Sequence, residues 1–485
     1  MLKNSNFALA LFISSPKNFH ISLSNFENDF TKEELLSRSI CYCFWPRFHI
    51  GILAAKNKVD QKMNIESNVR SYCRNFPVQF RTAHGSIIRD SSGTEYLDFL
   101  TGCGSLNYGH NHSVMKDALI AYVTGDGIAH GLDLETEAKK AFLDSLDTII
   151  LQPRGLQYVV QFPGPTGANA VEAAIKIARK VTGRTNIVAF TNGFHGCSLG
   201  ALSLTGSSFH RGHSAPLLNG VTRMPFDRYF GDTIDTFQMI RQMIDDPSGG
   251  IDLPAAIILE TIQGEGGLNV ASKTWVKNLT EYGKSIGALI IIDEIQAGCG
   301  RSGDFFSFEK FDISPDIIVL AKSISGFGLP LSLVLLKPQY DQWEPGEHNG
   351  TFRGNNHAFV TANAALEHFW RRPSFAIEVK RKIDVLSDAL RAIADRNGLI
   401  VRGRGMMQGL DMVHTQICSL VRQNCFENGV ILEASGPRDQ ILKLLPALTI
   451  TDEELARGLS IIHDSIDTVS IQKISKIEGK KTAFI

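Results

Sequence analysis

The sequence predicts an α/β protein built on a largely parallel sheet. Three observations predict it. Short apolar runs rich in β-branched residues recur at 186–190, 255–259, 288–292 and 316–320. Helical periodicities fall between them, as at 237–244 and 275–285. The runs are continuous rather than alternating, which means strands covered by helices on both faces.

The 485 residues suffice for two domains or one large α/β unit. Net charge is −1, which argues against nucleic acid or an anionic membrane as main partner. No apolar run approaches the roughly 20 residues of a membrane span. The eight cysteines contain no CxxC pair and make no disulfide framework, so a reducing compartment, the cytoplasm, is expected. The 43 glycines cluster in short loops, as tight turns near a ligand require.

Residues 1–62 lack periodicity. Their apolar stretch at 7–13 weakly resembles a signal-peptide core but lacks a small-residue cleavage site. Organised sequence begins at Met63, an alternative start; the extension is either an organelle-targeting segment or the product of an upstream start codon, and deleting 1–62 is expected to leave activity intact if Met63 is the real start. Residues 64–73 read as a short helix. Strand, turn and strand follow at 86–89, 90–93 and 96–100. Val114, Leu119, Ile120 and Val123 give 113–124 one apolar helix face. From about 351 helices dominate, at 359–370 and 376–397, with strands at 399–402 and 441–445. A helix over 452–469 starts on Thr451-Asp452-Glu453-Glu454, and 471–485 reads as a frayed tail.

Six stretches carry chemistry. Pro163-Gly164-Pro165-Thr166-Gly167-Ala168-Asn169 feeds a helix whose apolar face is Val171, Ala174, Ile175 and Ala178. Free N–H groups and the helix dipole meet at its start and suit a phosphate. Phe194 and His195 follow one strand, and Glu260 to Gly267 follow another. Asp293 closes a third strand and Lys322 stands just past a fourth. The sixth is the polar, glycine-rich loop 346–356, of a kind used for ligands or subunit contacts. Each has a plainer account: Lys322 as a surface lysine, Asp293 as a helix cap, Phe194 as core, His195 as a turn residue. Together they make a phosphate cradle, a ring stacker, an acid and an amine. Five of them flank strands that one sheet can hold, and open α/β sheets bind ligands at the carboxyl ends of their strands.

In this order the motifs resemble the class III pyridoxal-phosphate aminotransferases, over about residues 64–470. Within that family the similarity is greatest to the diaminobutyrate–2-oxoglutarate aminotransferases of ectoine biosynthesis. Arg70-Ser71-Tyr72-Cys73-Arg74, Leu106-Asn107-Tyr108-Gly109-His110-Asn111 and the 343–356 stretch carry that closer match. The resemblance implies fold type I, with a large cofactor domain at 113–350. It implies a smaller α+β domain from 63–112 and 351–470, between the 1–62 extension and the 471–485 tail. The cofactor would be pyridoxal 5'-phosphate. Lys322 would hold it and then act as acid and base, once burial or cationic neighbours activate its amine. Asp293 would pair with the ring nitrogen. Gly167 and Ala168 would bind the phosphate, Phe194 would stack on the ring beside His195, and Gln296 would meet the ring hydroxyl. Thr351 would reach the phosphate of a neighbouring subunit, making a homodimer or dimer of dimers.

Departures bear on the substrate. Cys197 stands where glutamate-binding members carry an arginine, and Cys103 where ornithine-type enzymes carry a tyrosine. Lys443 replaces the carboxylate-binding arginine and offers a point charge rather than a fork. Glu265 would gate Lys443 between half-reactions. The implied reaction is L-glutamate plus L-aspartate 4-semialdehyde to 2-oxoglutarate plus L-2,4-diaminobutyrate. Alternatives are ornithine, 4-aminobutyrate or another amine, diaminobutyrate supply for siderophores or peptides, a semialdehyde aminomutase, and a fold that has lost catalysis.

Overall fold

The computed structural model describes residues 65–482; the expectations for 1–62, Met63 and Asn64 lie outside them. A seven-stranded sheet organises the large layer. Its strands, in spatial order, are Val159–Gln161, Leu333–Leu336, Ile317–Leu320, Leu289–Asp293, Ala256–Leu259, Ile187–Phe190 and Val221–Met224. Only Leu333–Leu336 runs antiparallel to its neighbours. Every residue of the five inner strands is buried, because helices cover both faces.

Gly167–Thr182 is one covering helix. Val171, Ala174, Ile175 and Ala178 are buried along it, and Gly183 ends it at φ 66. Thr236–Asp245 and Lys273–Ser285 are two more, each capped by a side chain that accepts from first-turn N–H groups, Asp235 and Ser272.

Two smaller sheets complete the chain. Phe80–His84, Ile87–Asp90 and Glu95–Asp98 form a meander that Val430–Ile431 joins in parallel to Glu95–Asp98. N-terminal and C-terminal segments thus share one sheet. Ile400–Arg404, Met407–Asp411, Ile441–Leu444 and Glu433–Ser435 form the other.

The turn at 90–93 forms as expected: the Asp90 carboxylate accepts from the N–H groups of Ser92 and Thr94. Two expectations are corrected. The first helix is only Tyr72–Asn75, because 65–71 carries no apolar face that packs. The last helix runs Asp452–Thr482, so the expected frayed tail is helical to Thr482.

Candidate active site

Four neighbouring strands deliver the chemistry to one edge. Lys322 follows Ile317–Leu320, Asp293 ends Leu289–Asp293, Glu260 follows Ala256–Leu259, and His195 follows Ile187–Phe190. These strands are mutually parallel, so their carboxyl ends lie side by side. A cavity of about 350 Å³ opens there, lined among others by Thr166, Gly167, Phe194, Asp293, Gln296 and Lys322.

Lys322 is half-buried and opens a 3-10 turn at φ 52, in the left-handed region that a residue with a side chain avoids. Cys103, whose carbonyl accepts from Lys322 Nζ at 3.0 Å, is also left-handed, at φ 56. Such strain costs about 1–3 kcal/mol each and gathers where a site dictates geometry. It sets Lys322 apart from a surface lysine.

Asp293 is buried and doubly held. Its Oδ1 accepts from Ile295 N–H at 3.0 Å, and its Oδ2 lies 2.7 Å from His195 Nδ1. No helix follows it, so the plainer reading as a helix cap is not what holds it. Behind it, Glu260 accepts from the N–H groups of Phe194 and Gly264. Burial, then the Asp293 charge, push Glu260 up to about 7 against the pull of His195. His195 is raised too: burial opposes this, but its hydrogen bond to Asp293 and the Asp293 charge prevail. Both groups bind protons more tightly folded than unfolded. Their stabilisation is complete below the unfolded pKa and is lost as pH rises through the folded one. For Glu260 that window runs from 4.5 to about 7. The unfolding midpoint of Glu260→Gln is expected to fall less than that of wild type across it, as calorimetry at several pH values would show.

The phosphate cradle is present. The Thr166 hydroxyl takes the N–H of Asn169, while the N–H groups of Gly167 and Ala168 have no acceptor among the described residues. A Cβ at Gly167 would lie 2.8 Å from Ile295 Cδ1. Gly167→Val is expected to push Ile295 into the cavity and weaken pyridoxal-phosphate binding at least about tenfold, within the reach of a 1–3 kcal/mol overpacking cost. A cofactor titration of the apoprotein measures this. Phe194 lines the cavity, held edge-on to His210 at 5.2 Å. A pocket for a flat ring, an acid at one end, an amine beside it and free N–H groups for an anion together fit pyridoxal phosphate.

Next to the cavity lies a charge cluster. Lys443 is fully buried, with Nζ 2.9 Å from Glu265 Oε1 and 3.1 Å from Glu433 Oε2. Burial works against its charge, but the two carboxylates raise it. Glu265 is held down at about 2: burial would raise it, but Lys443 and then Lys322 overcome that. Gln296 Nε2 donates to Glu265 and to the Cys103 carbonyl, both at 3.0 Å, tying this cluster to Lys322. Burial, then Glu433, push the Cys103 thiol up to about 11.

Two expected residues stand apart. Cys197 is exposed and Thr351 lies on an exposed turn, and neither lines the cavity. Of the residues that meet the site, Glu433 was not singled out by sequence, while Glu260 and Tyr72 were named only within motifs and given no role of their own. Glu433 carried a usable signal, a carboxylate inside the apolar run Val430-Ile431-Leu432-Glu433-Ala434. It stands directly across from Lys443 in the antiparallel register, which places the pair together.

Comparison with known proteins agrees with this geometry. The family model described as aminotransferase class-III matches residues 69–466. A diaminobutyrate–2-oxoglutarate transaminase of Bordetella parapertussis is 51% identical over 426 residues, 86% of this chain and 98% of the relative. One from Vibrio parahaemolyticus is 52% identical over 84% of this chain and 96% of its own. Among solved structures, the ornithine aminotransferase of Toxoplasma gondii superposes with TM-score 0.73 at 27% identity, covering 85% of this chain and 93% of that one.

Proposed function

We infer, for a chain that belongs to the class III aminotransferase family, that it moves the amino group of L-glutamate to L-aspartate 4-semialdehyde. The products are 2-oxoglutarate and L-2,4-diaminobutyrate, and the reaction is reversible. The observation that carries the chemistry is the convergence of Lys322, Asp293 and a free helix N-terminus on one cavity. The substrate assignment is supported by relatives that bear the name diaminobutyrate–2-oxoglutarate transaminase at 51–52% identity.

Pyridoxal phosphate, when bound, supplies the carbonyl that takes the amine and the ring that takes up an electron pair. The chain supplies the rest. Lys322 Nζ moves the proton at the reacting carbon. The Asp293 carboxylate would hold a proton on the ring nitrogen, and His195 fixes that carboxylate in place. The N–H groups of Gly167 and Ala168 would bind the phosphate. Phe194 would cover the ring, and Gln296 would meet the ring hydroxyl. Lys443 binds a substrate carboxylate when Glu265 withdraws. Glu265 is the carboxylate able to do so, with 32% of its side chain exposed against 7% for Glu433. Cys103 leaves the site without the tyrosine that ornithine-type enzymes carry there, and Cys197 stands where glutamate-binding members carry an arginine.

Thr351 reaches the phosphate of a neighbouring subunit, in a homodimer or dimer of dimers. The seven-stranded layer, 113–350, is the cofactor domain, and 63–112 with 351–470 makes the smaller one. The enzyme works in the cytoplasm, at the first step of ectoine formation. No described helix is long and apolar enough to cross a membrane. A screen of amino donors against 2-oxoglutarate tests the reading. Diaminobutyrate is expected to exceed ornithine and 4-aminobutyrate in kcat/KM, and ornithine leading would refute the assignment.

A further inference from the structure

Glu433 is 6% exposed and is the more deeply buried of the two carboxylates at Lys443. Its two oxygens do different things. Oε2 lies at ion-pair distance from Lys443, 3.1 Å, but outside hydrogen-bond geometry. Oε1 accepts from the Tyr72 hydroxyl at 2.8 Å and sits 3.8 Å from the Cys103 thiol. Lys443 already has Glu265 at 2.9 Å. Lys443 thus faces two carboxylates; Lys322 also acts on Glu265, which leaves Glu433 as the carboxylate that shares its one ammonium and could take a further cation.

A second cation would have to take the place of the Tyr72 hydroxyl on Oε1. Cys103 links Glu433 to the reacting amine: its thiol lies 3.8 Å from Oε1 and its carbonyl accepts from Lys322 Nζ at 3.0 Å. Tyr72 belongs to a single helical turn with no buried residue, so its phenol can yield its place on Oε1. We propose that Glu433 is the subsite for the α-ammonium of the distal amino-acid head, displacing the Tyr72 hydroxyl while Glu265 keeps Lys443 occupied. This rests on the proposed reaction and deepens it. 4-Aminobutyrate differs from 2,4-diaminobutyrate only in lacking that ammonium. With 4-aminobutyrate the Tyr72 hydroxyl stays on Oε1 and no second charge meets Glu433, so the analogue forgoes an ion pair that the diamine gains.

The test compares kcat/KM for diaminobutyrate and for 4-aminobutyrate, with 2-oxoglutarate as acceptor, in the holoenzyme. Glu433→Gln is expected to lower the ratio by about 100-fold, through KM for diaminobutyrate rather than kcat. A general loss of structure would slow both amines alike and leave the ratio standing. Tyr72→Phe, at a 44% exposed position, removes the competing hydroxyl and is expected to raise the ratio. A Glu433→Gln ratio within threefold of wild type overturns the subsite. If Glu433→Gln cannot be purified with cofactor, a Tyr72→Phe ratio that is unchanged or lower overturns it. A wild type that ignores diaminobutyrate but uses another amine overturns the proposed reaction, a result distinct from an unmoved ratio.

Discussion

Lys322→Ala is expected to fold and still bind pyridoxal phosphate, yet to lose at least about 10⁴-fold in turnover. The loss combines two roles in one amine, since proton transfer by a placed side chain contributes about 10²–10⁴ and attachment of the cofactor adds to it. The phosphate cradle does not involve Lys322, so affinity falls less than rate. Alanine takes the left-handed position at no greater strain than lysine, and the deleted ammonium gives up one hydrogen bond to the Cys103 carbonyl. Steady-state assays beside a thermal melt measure both effects. Turnover within tenfold of wild type would remove Lys322 from the chemistry.

Asp293→Ala is expected to stay folded and lose at least about 10³-fold in activity. Without the carboxylate, the proton on the ring nitrogen loses its counter-charge, and each pK unit of that pairing is worth about 1.4 kcal/mol. The variant also leaves the buried His195 without its acceptor, costing about 1–3 kcal/mol, and frees the half-buried Ile295 N–H at a smaller cost. Asp293→Asn separates the effects. It retains the shape and much of the hydrogen bonding but not the charge, so its melting point is expected near wild type while its activity falls with that of alanine. The pH titration of bound cofactor absorbance reads the ring nitrogen directly.

The large layer was legible because buried parallel strands are continuous apolar runs. The runs at 288–292 and 316–320 fall within a residue of Leu289–Asp293 and Ile317–Leu320. Their neighbours could be named from the same pattern, and with them Asp293 and Lys322. Leu333–Leu336 escaped notice although equally apolar, because it runs antiparallel with no crossover helix to announce it. Val159–Gln161 is too short, at three half-buried residues, to show a period. In the site, the reach of Glu433 to Lys443 was invisible because it depends on strand register across the C-terminal sheet. Tyr72 reaches the cluster across 361 positions of sequence, a distance no local pattern spans. The helix expected at 64–73 failed for want of an apolar face, and the tail exceeded expectation.

The central claim is that this site transfers an amino group to the terminal carbon of a four-carbon semialdehyde. Incubation with [15N]glutamate and L-aspartate 4-semialdehyde, followed by mass spectrometry of the derivatised product, tests it most directly. The expected product is diaminobutyrate carrying 15N on its C4 nitrogen and none on its C2 nitrogen. Diaminobutyrate without label at C4, or no diaminobutyrate from a cofactor-loaded enzyme that consumes glutamate with another carbonyl, would contradict it.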